Sequence, residues 1–237
     1  MPVAAVIPAK DESAEVTATV DAIRVVDGVD LVVVVDDGST DDTSRLARDA
    51  GACVVTLSSN RGKGAALTAG VLRVAEEETR AGLPVGTHAL LFVDADLGGS
   101  AVNLAGLVAP VLDGRADLTI ANLPPQATPG GGHGLVVTLA RTGIERLTGW
   151  RPTQPLSGMR CLTRAAYDAA QPLAAGWGVE TAMTIDVLRA GLHAIEVPCD
   201  LHHRVSGAGW RAQLHRAGQY RDVWRALLAR GYRGTGR

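Results

Sequence analysis

Four short apolar runs, residues 3–7, 31–35, 53–57 and 89–93, alternate with stretches of helical period at 14–26, 43–50 and 65–81. The runs are continuously apolar rather than alternating, the pattern of strands buried on both faces. Strands and helices in strict alternation imply a largely parallel sheet with right-handed crossovers, so the expected fold class is α/β. Ligands of such sheets bind beyond the carboxyl ends of the strands. Each of the four runs is followed there by polar or glycine-rich residues.

Past Asp96 the pattern loosens. Residues 102–112 read as a helix and 118–121 as a short strand, followed by a loop at 123–134 with Pro124-Pro125 and Gly130-Gly131-Gly132. A loop that long inside a compact domain usually carries function or moves. Residues 135–147, 179–190 and 208–230 read as helices and 193–197 as a strand. With 46% hydrophobic and 20% charged residues the chain is globular. No apolar run approaches the roughly 20 residues that span a bilayer. The opening lacks a basic stretch ahead of its apolar run, so no signal peptide is expected. Cys53, Cys161 and Cys199 have neither disulfide nor zinc spacing, which suits a reduced, cytoplasmic protein.

The strongest chemical signal is Val93-Asp94-Ala95-Asp96. Residues two apart on an extended chain project to one side, so Asp94 and Asp96 present two carboxylates together at a strand's end. Like charges that close are costly without a cation between them, and a divalent ion on a diphosphate would supply it. The plainer alternative is a pair of aspartates capping a helix at Ser100. Upstream, Asp36-Asp37-Gly38-Ser39-Thr40-Asp41-Asp42-Thr43 follows the second run. Asp37 is the residue to single out for a base or ribose, whereas Asp41 and Asp42 suit an N-cap. Asn60-Arg61-Gly62-Lys63-Gly64 opens a helix whose start, with Lys63, favours an anion. It is not a Walker loop, since Leu57 sits where the first glycine belongs. Of the 23 basic side chains only Lys10 and Lys63 are lysines, and both fall in these motifs.

In combination, Val6-Ile7-Pro8-Ala9-Lys10-Asp11-Glu12, then VDDGSTDDT, NRGKGAA and DAD, resemble the family-2 glycosyltransferases of GT-A fold over essentially the whole chain. That resemblance implies a mostly parallel central sheet flanked by helices. It implies a metal-dependent hexosyltransferase (EC 2.4) that uses a nucleoside-diphosphate sugar. Pro8, Ala9 and Glu12 would line the base and ribose pocket, with Asp37 on the nucleoside. Lys63, Gly64, Asp94 and Ala95 would lie at the donor, and Asp94 and Asp96 would hold Mg²⁺ or Mn²⁺. The second half is similar to glucosyl-3-phosphoglycerate synthases at Gly130–His133, Gln154–Gly158, Gly176–Glu180 and His203-Arg204. By that likeness Glu180 contacts the donor sugar and is catalytic with Asp96, while His203 completes the metal site.

Those synthases carry an arginine after the glycine run, where this chain has His133. Enzymes resembling dolichyl-phosphate glycosyltransferases share the first-half motifs equally well. The expected acceptor is therefore either a 3-phosphoglycerate-like molecule or a polyprenyl phosphate. Gly132, His133, Arg141, Ser157, Gly158 and Arg160 are its candidate contacts, with Arg164 a further source of positive charge. Residues 1–203 are expected to form the catalytic domain and 204–237 a basic helical extension packed on it. That extension holds eight arginines and one acid, Asp222. Its stripe of Trp210, Leu214, Ala217, Trp224, Leu227 and Leu228 suits packing on the domain, or peripheral contact with an anionic membrane. The other expected partner is a second copy of the chain, and not a nucleic acid. Two rival functions remain: a nucleotidyltransferase, which needs a glycine loop after the first strand where Pro8–Glu12 stands, and a non-catalytic nucleotide-sugar binder.

Overall fold

A computed structural model describes residues 1–123, 134–201 and 210–233, the side chains of 210–216 excepted. The four apolar runs form β1 (Val3–Ala9), β2 (Val29–Asp36), β3 (Cys53–Thr56) and β4 (Ala89–Phe92). They pair in parallel in the order β3-β2-β1-β4. The sheet continues through β6 (Arg160–Leu162), β5 (Leu118–Asn122) and β7 (Ala194–Pro198). Strand β6 runs antiparallel to both its neighbours, and β5 and β7 pair in parallel. The described sheet is thus mostly parallel with one reversed strand.

Helices cover both faces: α1 (Val16–Arg24), α2 (Thr43–Asp49), α3 (Lys63–Arg80), α4 (Ala105–Leu112), α5 (Leu135–Thr148), α6 (Arg164–Ala169), α7 (Val179–Arg189) and α8 (Trp210–Ala229). Strand β1 shows why its run is apolar throughout. Val3, Ala5 and Ile7 join α1 and α4 in one core, and Ala4 and Val6 join α3 and α7 in the other. A third cluster packs Val136, Leu139 and Ile144 of α5 and Ile185 of α7 against Val223 and Leu227 of α8. Of the described α8 stripe, Leu227 and, in part, Trp224 pack on protein, whereas Ala217 and Leu228 are exposed. Among the described residues no helix is long and apolar enough to cross a membrane.

Three elements differ from the sequence expectation. The helix expected over 102–112 begins as a 3-10 turn, Gly98–Leu104, and becomes α4 only at Ala105. Strand β6 is only three residues long and contains Arg160, so it carries no strand pattern. Helix α6 is one and a half turns, set by Thr163, whose hydroxyl accepts from the Ala166 N–H.

Candidate active site

The carboxyl ends of β1 and β2 are stitched together by short polar contacts. Asp11, in the left-handed region at φ 56°, donates its N–H to Ser39 Oγ at 2.9 Å and accepts from Thr40 N at 2.7 Å through Oδ1. The Glu12 N–H donates to Thr43 Oγ1 at 2.9 Å, and Ser13 N to Asp41 Oδ2 at 3.1 Å. Asp41, rather than Asp42, caps α2 by accepting from Thr43 N at 3.0 Å. Those bonds hold the Asp41 carboxyl well below the usual carboxylate range, the Thr43 hydroxyl contributing most. Pro8 and Glu12 are half-buried at this edge. Ala9 and Ala95 belong to the core cluster instead, each 4% exposed or less. Their carbonyls accept from Asp37 N and Thr19 Oγ1 respectively.

Asp37 takes a place the sequence did not suggest. It is 6% exposed and accepts from Arg61 N at 2.7 Å and Gly62 N at 2.8 Å, one bond to each oxygen. It therefore latches the turn that launches α3. A ribose could reach only the remaining lone pairs of those oxygens. Gly64 also differs: a Cβ there would stand 2.5 Å from the Ala174 carbonyl, so this glycine serves close packing with the 173–175 loop.

Lys63, the first residue of α3, is the centre of the site. Its Nζ lies 2.6 Å from Asp94 Oδ1 and 3.1 Å from Glu180 Oε1. Burial works against the ammonium, but the carboxylates of Asp94 and Glu180 outweigh it and hold its pKa above the ordinary lysine value. Glu180 is 6% exposed in the first turn of α7, where the helix N-terminus favours a negative group. Gly158 closes the other side. A Cβ there would be 2.3 Å from Lys63 Nζ and 2.8 Å from both Asp94 oxygens, so only glycine lets the 154–158 loop lie over the ion pair.

Lys63 engages one oxygen of Asp94 and leaves Oδ2 without a hydrogen bond among the described residues. Asp96 is half-buried two residues on. Hard carboxylate oxygens at the end of a strand suit Mg²⁺ or Mn²⁺. Among the described residues no third His, Cys, Asp or Glu joins them in a cluster. His203, the expected third ligand, lies outside the described residues, as do Gly132 and His133.

The expected acceptor contacts divide. Ser157 and Gly158 line a pocket of about 200 Å³ together with Asp94, Leu123, Val137 and Leu156. Ser157 is 7% exposed and its Oγ has no hydrogen-bond partner among the described residues. The three arginines have neighbours of their own among the described residues. Arg160 is 1% exposed and spends its donors on Ser157 O, Pro155 O and Thr184 Oγ1. Arg141 donates to the carbonyls of Pro152 and Thr153. Arg164 sits near Glu78 and Gly86, beside the loop that enters β4, at the opposite end of the strands from Lys63. Two residues escaped the sequence reading altogether. Glu196 on β7 accepts from the N–H groups of Thr153 and Gln154, and Thr184 bridges to Arg160. Neither lies in a motif.

The turn ahead of Glu180 rests on α8. Gly176 has φ 62°, and a Cβ on it would be 2.1 Å from Asp222 Oδ2. Gly176→Ala should therefore cost about 1–3 kcal/mol, which lowers the melting temperature by several degrees. The displaced first turn of α7 should also slow turnover. Thermal melting and initial rates check both.

The family model "Glycosyl transferase family 2" matches residues 4–167. The chain belongs to glycosyltransferase family 2. It is similar to the glucosyl-3-phosphoglycerate synthase of Mycobacterium tuberculosis, with 31% identity over 219 residues, covering 81% of this chain and 63% of that protein. It is also similar to glycosyltransferase AglJ of Haloferax volcanii, at 30% identity over 189 residues, 77% of this chain and 57% of the other. The chain thus spans less than two thirds of the length of these curated relatives. A crystal structure of the mycobacterial synthase with Mn²⁺, uridine diphosphate and glucosyl-3-phosphoglycerate superposes with TM-score 0.75 at 29% identity, over 99% of this chain and 82% of that one. Another, with Mg²⁺ and uridine diphosphate, has the same TM-score. The fold is GT-A, with the mixed sheet described above.

Proposed function

We propose that this chain transfers a hexose from a uridine-diphosphate sugar to a small phosphorylated acceptor of the phosphoglycerate class. The observation that carries the reading is the convergence of Lys63, Asp94 and Glu180 at 2.6 and 3.1 Å, beside Asp96, at the carboxyl ends of the strands. The donor half is supported by relatives crystallised with uridine diphosphate and with UDP-glucose. The acceptor half is supported by relatives crystallised with phosphoglyceric acid and by the small pocket at Ser157 beside Asp94. Pro8 and Glu12 bound the nucleoside side, and Asp37 fixes the turn that delivers Lys63. A diphosphate entering the site gives Lys63 a second anionic partner, and its ammonium steadies the negative charge on the departing group. Glu180 orients the lysine and stands ready to hold sugar hydroxyls. Asp94 and Asp96, with His203, would hold the divalent ion, which when bound offsets diphosphate charge. Residues 1–203 are read as the catalytic domain and 204–237 as its extension, and water-soluble substrates suit a cytoplasmic setting.

A thermal-shift panel of UDP-, GDP- and ADP-sugars with and without Mn²⁺ tests this reading. Donor at a hundred times its Kd adds about 2.7 kcal/mol, or roughly 5–10 °C in melting temperature for a chain this size. Only UDP-sugars with metal should reach it, and 3-phosphoglycerate should then release UDP. Release with a polyprenyl phosphate alone would move the acceptor to the lipid class and bring α8 to a membrane surface. Pyrophosphate release from a nucleoside triphosphate would point to a nucleotidyltransferase. Binding without turnover on any acceptor would leave a nucleotide-sugar binder.

A further inference from the structure

A guanidinium buried to 1% exposure with no carboxylate among its hydrogen-bond partners in the described residues is an expensive feature in a core. Burial pushes the Arg160 pKa down to about 10, against the more distant pull of Glu180, Glu196 and Asp94, so the group stays charged at neutral pH. An apolar side chain of similar volume would avoid that cost but leave three acceptors without this donor. What the charge adds is connection. Nε donates to Ser157 O at 2.8 Å and Nη2 to Pro155 O at 3.3 Å, holding the loop that lies over Lys63 and Asp94. Nη1 donates to Thr184 Oγ1 at 2.9 Å, and that hydroxyl donates to the main-chain carbonyl of Glu180, also at 2.9 Å. In the sheet, Arg160 pairs with Phe92, two residues before Asp94.

We propose that Arg160, acting through Thr184, is a positioning residue that fixes the 154–158 loop and the first turn of α7 in one register, so that the acceptor pocket and Glu180 face each other across Lys63. It touches neither substrate. The inference rests on the reading of the 154–158 loop as the acceptor side. It predicts a division between substrates. Loss of the bridge should misplace acceptor and Glu180 relative to each other while leaving the donor pocket at β1 and β2 intact. A misplacement on the order of 1 Å costs about 100-fold in rate.

The test compares Arg160→Met, Arg160→Lys and the near-isosteric Thr184→Val with the unaltered enzyme. Melting temperature, UDP-glucose affinity with Mn²⁺ by calorimetry, acceptor KM and kcat are measured for each. Arg160→Met should lower kcat/KM for the acceptor about 100-fold, with donor Kd changed less than about threefold, and Arg160→Lys should recover part of the loss. Thr184→Val, which removes only the bridge, should lower kcat about tenfold. Amide hydrogen exchange supplies a readout independent of the acceptor: Thr184→Val should quicken exchange across the bridge, at 157–159, as well as at 180–184. Should Arg160→Met fail to fold, Thr184→Val and the exchange data decide. A parallel loss of donor affinity, unchanged kcat in Thr184→Val, or exchange that quickens only within α7 would overturn the proposal. If the unaltered enzyme uses no phosphorylated acceptor, the function reading fails, and the exchange result still judges the bridge.

Discussion

Lys63→Met is expected to lower sugar transfer by about a thousandfold, the scale of losing a positioned group that meets developing negative charge. The same change strands Asp94 and Glu180, whose side chains are 28% and 7% exposed, without the ammonium between them. Removing one partner of a buried ion pair costs about 3–5 kcal/mol, so the melting temperature should fall with the rate. Arginine should not substitute. The Gly158 backbone lies so close to Lys63 Nζ that a single added carbon would collide with it, and a planar guanidinium needs more room than a compact ammonium. Lys63→Arg is therefore expected to stay at least about tenfold below the unaltered enzyme. Initial-rate assays with thermal melts check both variants; turnover at the original rate in either would remove Lys63 from the centre of the site.

Asp96→Ala should have an effect of similar size by a different route. Donor affinity measured by calorimetry in Mn²⁺ should fall to the value measured in chelator, and transfer should drop by about a thousandfold or more. Stability without metal should change little, because Asp96 is only half-buried. An Asp96→Ala protein whose donor affinity still rises when Mn²⁺ is added would take Asp96 out of the metal site.

The sequence disclosed most where one residue type answered one physical demand. Continuous apolar runs require strands buried on both faces, and β1 to β4 formed in parallel within a few residues of their expected bounds. Glycine ahead of Lys63, and the i, i+2 aspartates after β4, pointed to the carboxyl end of the sheet where Lys63 meets Asp94. Burial and hydrogen-bond direction were not legible. Asp37 is singled out by its strand-end motif, and Arg160 by its charge alone. In the folded chain Asp37 accepts from the Arg61 and Gly62 amides, and Arg160 donates to the Pro155 and Ser157 carbonyls and to Thr184 Oγ1. Arg141 and Arg164 likewise have partners of their own, and a formal charge in a sequence carries no sign of them. The helix start at Val179 was legible, but the Lys63–Glu180 contact spans more than a hundred residues and is set by the tertiary fold alone.

Crystals soaked with UDP-glucose and MnCl₂, with data collected near the manganese absorption edge, test the central claim most directly. An anomalous peak coordinated by the carboxylates of Asp94 and Asp96 and by the diphosphate oxygens is the expected result. A nucleotide sugar bound elsewhere, or seated at β1 and β2 with no manganese at residues 94 and 96, would contradict it.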